Sequence, residues 1–468
     1  MVSISDYKGK RVHMIGIGGS SMSGLAEMLA QEGCLVTGSD KTLSHAVERL
    51  QAEGMTVYIG HRPENVRGAE LLIWSAAIPE DNPERAEAKR LGIPDMERAE
   101  LLGQLMLGHE HNICVSGAHG KTTSSSMIAD ILYTAGMDPA VSIGGRPLFM
   151  ESGSRVGGRT AFVAEACEFH GSFLHMHPTL AVLLNIDADH LDYYGDMEHI
   201  VQAFDRFAHL LPPDGTALGW GEDPRVRGIL EKLPVRTFTF GLGRENDFHP
   251  DGLTYGNEGN GIFDMMRGGE KLGHVELKVS GEFNVLNALA AFAAGVLTGA
   301  DPKVCADTLS SFTGVHRRFE LTGVLDGVRM YHDYGHNPPE MRAAVHVARL
   351  HHPKRVWAVM QPHTYSRVKT LFDGYLTCTE EADFTLVTDI CAAREVDPGD
   401  IHSGMVVEGM LKHGINAVWT PSFDDTEKYL REHWQPGDLV ITMGCGDINL
   451  LNEQMAAHGD TRTEESKP

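Results

Sequence analysis

The sequence predicts an α/β protein with three domains, because strand-like apolar runs alternate with helical patterns along most of its 468 residues. A chain of this length exceeds one hydrophobic core and fits about three domains of ordinary size. We expect the domains to span residues 1–107, 108–315 and 316–468. The first and third should be Rossmann-like, and the second should hold a mostly parallel sheet around a phosphate-binding loop.

The overall composition indicates a globular enzyme and argues against a nucleic-acid-binding or membrane protein. The formal charge of -24 opposes binding to polyanionic nucleic acid, and no apolar stretch is long enough to span a bilayer. The seven cysteines are scattered without a C-x-x-C pair, which favours reduced thiols over disulfides or zinc ligands. We therefore expect a cytoplasmic protein, a monomer or weak homodimer, whose partners are small molecules.

The first domain opens with a predicted strand, Arg11–Ile17, and a glycine turn over residues 16–19 that leads into a helical pattern. Two further strands end in Ser39-Asp40 and in Ser75. Asp40 follows the glycines by about 20 residues, where a ribose-binding acid would lie in a nucleotide-binding fold. The glycine spacing departs from G-x-G-x-x-G, so a nucleotide site and a plain strand–turn–helix unit both remain open.

The most informative segment is CVSGAHGKTTSSSMIADIL, which begins at Cys114. A strand-like run turns through Gly117 and Gly120 and then enters a helical pattern at Lys121. Glycines at these positions allow successive backbone N–H groups to face one anion at the start of a helix. Lys121 can neutralise phosphate charge, and the Thr122 hydroxyl can hold Mg²⁺. The loop is a shortened form of the usual phosphate-binding motif, and it predicts ATP binding.

Acidic residues follow two further strands of the middle domain. Glu165 and Glu168 come after the strand Ala161–Ala164, and the segment N-I-D-A-D-H at 185–190 follows a strand that begins at Leu180. Because parallel strands of one sheet end at the same rim, we expect these groups beside the phosphate loop. Together with His190 they suit a second Mg²⁺, although each acid alone could be a solvated loop residue.

Later parts of the chain offer further candidates for the nucleotide site. A glycine-rich passage over residues 241–273 predicts antiparallel hairpins at the edge of the middle sheet. Asn284 and Asn287 open the alanine-rich helix Phe283–Leu297, where an amide can read adenine; helix capping would explain only one of them. Arg317-Arg318 lies at the boundary to the third domain. The pair could contact the γ-phosphate, or it could be an exposed charge cluster.

Two strands of the third domain end in turns that are rich in histidine. Residues 331–338 read Y-H-D-Y-G-H-N-P, and residues 361–367 read Q-P-H-T-Y-S-R. Both turns follow carboxyl ends of strands, the expected place for a site in an open α/β sheet. Arg367 can grip a carboxylate with two nitrogens, and a surface ion pair is the alternative.

Taken in order, these motifs resemble those of the Mur ligases, the ATP-dependent amide-forming enzymes of peptidoglycan synthesis. The matching segments are G-I-G-G-S-S-M-S-G at 16–24, S-D at 39–40, G-A-H-G-K-T-T at 117–123, N-I-D-A-D-H at 185–190, H-R-R-F-E at 316–320, D-Y-G-H-N-P at 333–338, Q-P-H-T-Y-S-R at 361–367 and G-C-G-D-I at 444–448. They look most like the branch that joins L-alanine to the lactyl carboxylate of UDP-N-acetylmuramate. The resemblance implies ATP as co-substrate, Mg²⁺, and these two molecules as partners.

The same resemblance implies roles for residues, position by position. The ATP phosphates and the first Mg²⁺ are expected at Gly117, Ala118, His119, Gly120, Lys121, Thr122 and Thr123. The second Mg²⁺ is expected at Glu165 and His190, adenine at Asn284 or Asn287, the ATP ribose at Asp333 and the γ-phosphate at Arg318. The UDP part is expected at Gly18, Gly19, Ser20, Ser39, Asp40 and Ser75. L-Alanine is expected at Tyr334, His336, His363 and Arg367. The catalytic residues would be Lys121, Glu165, His190 and Arg318.

The chain departs from the usual family pattern at three places. Cys167, Phe169 and His170 stand in an acidic string that usually reads E-A-D-E-S-D. Thr364 replaces an arginine, which removes one candidate contact for a carboxylate, and Asn337 replaces a histidine. The base that deprotonates the amine stays open between His190 and Glu165 acting through water.

Three other functions remain open from the sequence. The first is a recycling ligase that adds a tripeptide to the same sugar nucleotide. The second is a non-catalytic, ATP-gated binding protein on the same fold. The third is a dinucleotide oxidoreductase, which only the first glycine turn suggests.

Overall fold

The computed structural model describes residues 3–188 and 190–465. The chain divides into two compact units, Met1–Thr254 with Gly261–Thr313, and Tyr255–Asn260 with Gly314–Pro468. Within the described residues the strands form three separate sheets, two largely in the first unit and one in the second. The predicted fold class, three α/β domains with mostly parallel sheets, is confirmed.

The first sheet is formed by β1 (Arg11–Ile15), β2 (Leu35–Asp40), β3 (Thr56–Ile59), β4 (Leu71–Trp74) and β5 (Asp95–Glu97). Its helices are α1 (Ser20–Gln31), α2 (His45–Ala52), α3 (Pro83–Leu91) and α4 (Arg98–Met106). The strands are parallel and lie in the order β3-β2-β1-β4-β5. The strand order reverses beside β1, so a ligand crevice is expected at the carboxyl end of that strand.

The second sheet contains β6 (His111–Ser116), β7 (Ala140–Ser142), β8 (Ser154–Arg155), β9 (Ala161–Glu165), β10 (Leu180–Leu183), β11 (Thr216–Trp220), β12 (Arg236–Phe240), β13 (Phe248–Tyr255), β14 (Asn260–Arg267) and β15 (Glu270–Ser280). Its helices are α5 (Lys121–Thr134), α6 (Leu191–Tyr194), α7 (Met197–Ala208), α8 (Pro224–Leu230), α9 (Glu282–Leu297) and α10 (Pro302–Ser311). The order is β15-β14-β13-β12-β11-β10-β6-β9-β7-β8. The glycine-rich passage therefore supplies edge strands, as its sequence predicted.

The middle of this sheet brings three strand ends to one rim. β6 lies between β10 and β9 and pairs in parallel with both. Ile113, Cys114 and Val115 of β6 are fully buried, as expected for a strand covered by helices on both faces. Each such aliphatic side chain contributes roughly 1.5–3 kcal/mol of burial free energy. The strand that carries the phosphate loop is therefore held rigidly.

The third sheet contains β16 (Glu320–Leu325), β17 (Val328–Asp333), β18 (Val356–Met360), β19 (Phe384–Val387), β20 (Ala417–Trp419) and β21 (Leu439–Met443). Its helices are α11 (Pro338–Leu350), α12 (Tyr365–Thr370), α13 (Phe372–Tyr375), α14 (Ser403–Lys412), α15 (Phe423–His433) and α16 (Asn449–Glu465). The order is β16-β17-β21-β18-β19-β20, and only the β16–β17 pair among those described is antiparallel. β17 and β18 flank β21, so the two histidine turns leave the same rim.

Among the helices that the structure describes, none combines the length and the apolar character needed to cross a lipid bilayer. All seven cysteines lie in the described residues as free thiols, in agreement with their scattered spacing.

Candidate active site

The phosphate loop between β6 and α5 depends on two glycines with positive φ. Gly117 has φ +149°, and a Cβ there would lie 2.9 Å from Leu184 Cβ. Gly120 has φ +85°, and a Cβ there would collide with Asn287 Oδ1. L-residues with side chains rarely adopt these φ values, so both positions require glycine.

The start of α5 presents unpaired backbone donors. Across the described parts of the chain, no acceptor is recorded for the N–H groups of residues 120–123. Asn185 holds the preceding turn: its backbone oxygen accepts from Ala118 N at 3.2 Å, and its Oδ1 accepts from His119 N at 2.8 Å. Such a helix start, with free N–H groups and the positive end of the helix dipole, suits an anion.

Lys121 lies at the centre of this loop and pairs with Glu168. Its Nζ donates to Glu168 Oε1 at 3.0 Å, to Oε2 at 2.9 Å and to Gly117 O at 2.5 Å. The two side chains are only 13% and 2% exposed. Burial alone would lower the pKa of Lys121, but the carboxylates of Glu168 and Glu165 raise it above its ordinary value. The ammonium is therefore charged and held beside the free N–H groups.

Glu168 was only one of several acids in the sequence prediction, and its pairing with Lys121 was missed. A lysine at a buried loop requires a nearby carboxylate, because an unpaired buried charge is costly. That requirement is the signal that could have identified Glu168. Tyr194 OH also donates to the backbone oxygen of Glu168, which fixes this segment.

Thr122 and Glu165 supply neighbouring oxygens next to the loop. Thr122 Oγ1 lies 3.1 Å from Glu165 Oε1 and 3.2 Å from Oε2, and Gly144 N donates to Oε2 at 2.8 Å. Hydroxyl and carboxylate oxygens are the donors that Mg²⁺ prefers, so this pair fits the metal that the sequence predicts. In residues 3–188 and 190–465, no group of three or more His, Cys, Asp and Glu side chains is placed to hold a metal.

The segment around His190 adjoins an aromatic cluster. Asp189 lies outside the described residues. The ring of His190 is 4.7 Å from that of Phe169, and the ring of His170 is 4.6 Å from that of Tyr193. Two residues that depart from the family pattern, Phe169 and His170, thus form aromatic contacts where acidic and hydroxyl groups are usual.

Asn284 and Asn287 lie on α9 against the phosphate loop. Asn287 Oδ1 accepts from Ser124 Oγ at 3.1 Å, and its Nδ2 donates to Asn284 Oδ1 at 3.1 Å. Both side chains are buried. The capping alternative is wrong, because the N-cap of α9 is Gly281. A contact with adenine stays a prediction.

The first glycine turn, residues 16–19, joins β1 to α1. Gly18 N donates to Asp40 Oδ2 at 2.9 Å, while Gly19 and Ser20 are exposed. The hydroxyl of Ser39 is fully buried and donates to Glu84 Oε2 at 2.6 Å. Ser75 is half-buried at the end of β4. The structure thus brings Asp40 to the glycines and directs the Ser39 side chain away from solvent.

Glu84 is a buried acid below this turn that the sequence reasoning missed. It accepts from Ser39, from Asn65 Nδ2 at 2.6 Å and from Arg62 N at 3.2 Å. Burial alone would raise the pKa of Glu84, but hydrogen bonds from His13, Ser39 and Asn65 lower it. No sequence signal marks Glu84, because it looks like an ordinary acid in the first turn of a helix.

In the second unit, Arg317 and Arg318 both lie over the ring of Tyr334 but differ in their hydrogen bonds. Arg317 Nε donates to His332 Nε2 at 3.0 Å, and its Nη2 donates to Gly446 O at 3.0 Å. Arg318 lies over the ring of Tyr334 at 5.1 Å. Arg317 therefore holds the domain together, whereas in the part of the chain that the structure describes no hydrogen bond occupies the guanidinium of Arg318.

Asp333 ends β17 and receives two backbone hydrogen bonds. Its Oδ1 accepts from Gly335 N at 2.7 Å and its Oδ2 from Phe319 N at 2.8 Å. Burial raises its pKa, while Arg318 opposes that effect. The carboxylate thus shapes the turn, and its contact with an ATP ribose stays a prediction.

The four residues predicted for L-alanine lie in one series of contacts. The ring of His336 is 5.7 Å from that of Tyr334 and 6.1 Å from that of His363. Arg367 Nη1 donates to His363 O at 3.2 Å. Burial, Arg367 and His336 lower the pKa of His363 to about 4, so its imidazole is neutral at pH 7.

Asn337, which stands where the family usually has histidine, caps α11. Its side chain accepts from Glu340 N at 3.1 Å, and the Glu340 side chain reaches back to the backbone of Asn337. Such a reciprocal cap contributes about 1 kcal/mol to helix stability. The replacement therefore has a local structural reason.

Comparison with known protein families finds matches over most of the chain. Three family descriptions match in sequence: Mur ligase family, catalytic domain, at residues 11–110; Mur ligase middle domain at 115–295; and Mur ligase, glutamate ligase domain, at 317–446. Together they cover most of the chain.

Individual relatives extend the comparison. The chain is 42% identical over 447 residues to the UDP-N-acetylmuramate–L-alanine ligase of Acetivibrio thermocellus, covering 95% of each chain. It resembles the solved UDP-N-acetylmuramate-alanine ligase of Thermotoga maritima at 24% identity and a TM-score of 0.80, covering 98% of this chain and 100% of that one. A murein peptide ligase from Psychrobacter arcticus is 24% identical with a TM-score of 0.72, covering 96% and 98%. By its matched domains and by its 42% identity to the Acetivibrio thermocellus ligase, the chain belongs to the Mur ligase family.

Proposed function

We propose that this protein joins L-alanine to the lactyl carboxylate of UDP-N-acetylmuramate, with ATP converted to ADP and phosphate. The observation that carries the proposal is the phosphate loop, where a charged Lys121 lies beside unpaired N–H groups at the start of α5. Relatives named for this reaction, at 42% identity over nearly the whole chain, support it. UDP-sugar binding falls to residues 1–107, ATP binding to 108–315 and amino-acid binding to 316–468.

The chemistry requires activation, because a carboxylate does not acylate an amine in water. A lactyl oxygen attacks the γ-phosphorus of ATP, the bond from that phosphorus to the bridging oxygen of ADP breaks, and the products are ADP and an acyl phosphate. The amine of L-alanine then attacks the acyl carbon, and phosphate leaves with the former carboxylate oxygen. Lys121 and Arg318 offset the repulsion between the two anions and the charge that develops during transfer.

A first Mg²⁺ would be held by Thr122 and a second by Glu165 and His190; the Thr122 and Glu165 side chains already lie together. When bound, the metal would polarise phosphate oxygens and neutralise their charge. The ammonium of L-alanine must lose a proton before attack; His190, or Glu165 through water, would accept it. Asp333 and one of Asn284 and Asn287 would position the nucleoside.

The remaining residues would hold the two other substrates. Gly18, Gly19, Ser20, Asp40 and Ser75 lie at the carboxyl ends of β1, β2 and β4, where the UDP part would bind. Ser39 would act through its contact with Glu84. In the third domain, Tyr334, His336 and the neutral His363 would surround L-alanine, with Arg367 on its carboxylate.

The test is release of ADP and phosphate with ATP, Mg²⁺, UDP-N-acetylmuramate and one amine at a time. L-Alanine should support turnover. When the lactyl carboxylate of UDP-N-acetylmuramate is labelled with ¹⁸O, one labelled oxygen should appear in the released phosphate. Unlabelled phosphate would contradict the acyl-phosphate route.

The same assay separates the alternatives. Turnover with L-alanyl-γ-D-glutamyl-meso-diaminopimelate, but not with L-alanine, would instead support the recycling ligase. Absence of ADP with every amine would support a non-catalytic binding protein.

A further inference from the structure

A carboxylate in the third domain fastens a second loop to the turn that carries His363 and Arg367. Glu395 Oε1 accepts from Thr364 Oγ1 at 2.6 Å, and Oε2 accepts from Ser366 N at 2.9 Å. The Ser366 hydroxyl donates to Oε1 as well. Burial alone would raise the pKa of Glu395, but these hydrogen bonds lower it, so the carboxylate stays ionised and the connection persists at neutral pH.

The start of the same loop is also attached to that turn. Cys391 N donates to Pro362 O at 2.9 Å, and Cys391 forms an isolated parallel bridge with His363. Glu395 N donates to Ala392 O at 2.9 Å, which closes the loop on itself. Residues 391–395 are thus held at both ends along residues 362–366.

Arg394 lies on this loop, directly before Glu395. Consecutive Cα atoms are about 3.8 Å apart, so the bond from Ser366 N to Glu395 keeps the backbone of Arg394 within side-chain reach of Arg367. Arg394 is exposed, and among the described residues it has no hydrogen bond, ion pair or ring contact. Its guanidinium is therefore available to a ligand.

One nitrogen of Arg367, the cation of the amino-acid turn, is already engaged. Arg367 Nη1 is already bonded to His363, both to its backbone oxygen at 3.2 Å and to its Nδ1 at 3.1 Å. His363 is neutral at pH 7, so it adds no positive charge. Thr364, at the position where the family usually has arginine, is uncharged and donates to Glu395.

We propose that Arg394 binds the carboxylate of the amino-acid substrate together with Arg367 and so selects for amino acids with a free α-carboxylate. Thr364 contacts the Glu395 carboxylate and Arg394 directly precedes Glu395 in the chain, so a guanidinium at either position would extend from the same junction of loop and turn. The inference rests on the proposed function, because it needs L-alanine to bind at this turn.

The test compares wild type, Arg394→Ala and Arg394→Gln, with Lys412→Ala as a control at an exposed cation of the same domain. Both Arg394 variants should raise the KM for L-alanine about tenfold, as expected for loss of a hydrogen bond between charged groups. The KM values for ATP and UDP-N-acetylmuramate and the thermal midpoint should not change. Equal increases for all three substrates, or no increase for L-alanine, would overturn the proposal.

L-Alaninamide separates binding of the carboxylate from a structural effect. It keeps the amine and lacks the negative charge, so wild type should favour L-alanine over it in kcat/KM. In Arg394→Ala this preference should fall about tenfold. An unchanged preference would mean that Arg394 does not contact the carboxylate.

A rescue variant tests the placement of the charge. Thr364→Arg in the Arg394→Ala background should lower the raised KM for L-alanine most of the way to its wild-type value. An unchanged KM would contradict the idea that guanidinium groups at these two positions reach the same carboxylate. Failure of the proposed function is distinguishable, because wild type itself would then form no ADP with L-alanine.

Discussion

The two glycine turns of the first unit have the same construction and opposite charge. Each follows a buried parallel strand and opens a helix: residues 16–19 join β1 to α1, and residues 117–120 join β6 to α5. In the first turn, the Gly18 N–H is already bonded to the carboxylate of Asp40. In the second, the Lys121 ammonium donates to Glu168 and to the backbone oxygen of Gly117.

This difference indicates what each turn can accept. A carboxylate beside a glycine turn accepts hydrogen bonds from hydroxyl groups such as those of a ribose, whereas it repels a phosphate at close range. A lysine beside free N–H groups attracts phosphate. Under the proposed function, one backbone design would thus serve two ligands, and the charged side chain would determine which ligand binds.

The largest expected effect comes from removing the cation of the second turn. Lys121→Ala should lower kcat for ADP formation at least about 10³-fold, because an electrostatic contact of the transferring phosphate is lost. The variant also leaves Glu168 buried without a partner, which costs roughly 3–5 kcal/mol. Lys121→Ala with Glu168→Gln should recover the thermal midpoint and remain inactive. Activity in the stable double variant would remove Lys121 from the mechanism.

Alanine substitution of one glycine in each turn compares their backbones. Gly120→Ala should destabilise the protein by about 2 kcal/mol, from the positive φ and the collision with Asn287, and should raise the KM for ATP. Gly19→Ala should destabilise the protein less, because its φ of −61° suits any residue and only Gly16 O, at 3.3 Å, lies close to a Cβ; it should leave the KM for ATP unchanged. Thermal midpoints and the KM for ATP should be measured for both variants. Equal losses would show that the turns are equally strained.

The acid of the first turn should act on one substrate only. Asp40→Ala should raise the KM for UDP-N-acetylmuramate about tenfold, from loss of charge-assisted hydrogen bonds, and should leave the KM for ATP unchanged. Steady-state kinetics with each substrate varied in turn would measure this. A rise in the KM for ATP alone would contradict this assignment and would indicate that the first turn binds ATP.

The smallest expected effect is on the pH dependence of stability. Stability from the first turn should fall as pH is lowered, and stability from the second turn should fall as pH is raised. The lowered pKa of Glu84 below the first turn means that its contribution is present above its ordinary pKa of about 4.3 and is lost as pH falls through the lowered value. The raised pKa of Lys121 means that its contribution is present below about 10.4 and is lost as pH rises through the raised value.

Thermal midpoints of matched variants check both signs. The advantage of wild type over Glu84→Gln should narrow between about pH 5 and pH 3. Its advantage over Lys121→Met with Glu168→Gln should narrow above about pH 10. Constant differences over these ranges would show that the two buried groups do not titrate as their contacts require.

Much of the fold could be predicted because strands, turns and helix starts are local patterns. The strand before Gly117 and the helix after Gly120 are visible as apolar runs separated by glycines, and the structure has both. The rim that joins Lys121, Thr122 and Glu165 was predictable as well, since ends of parallel strands meet. The capping role of one asparagine on α9 was wrong, because the helix begins at Glu282, after Gly281.

What the chain's sequence determined by itself was the fold class, the family and the residue types available at each strand end, since these depend on periodicity and short motifs. Only the tertiary structure decided which side chain becomes the partner of each buried carboxylate. Glu168 and Lys121 are 47 residues apart, and Glu84 and Ser39 are 45 apart, yet each pair is buried in direct contact. A buried loop lysine signals only that some carboxylate lies near it. Which carboxylate becomes the partner depends on position in space and not on distance along the chain.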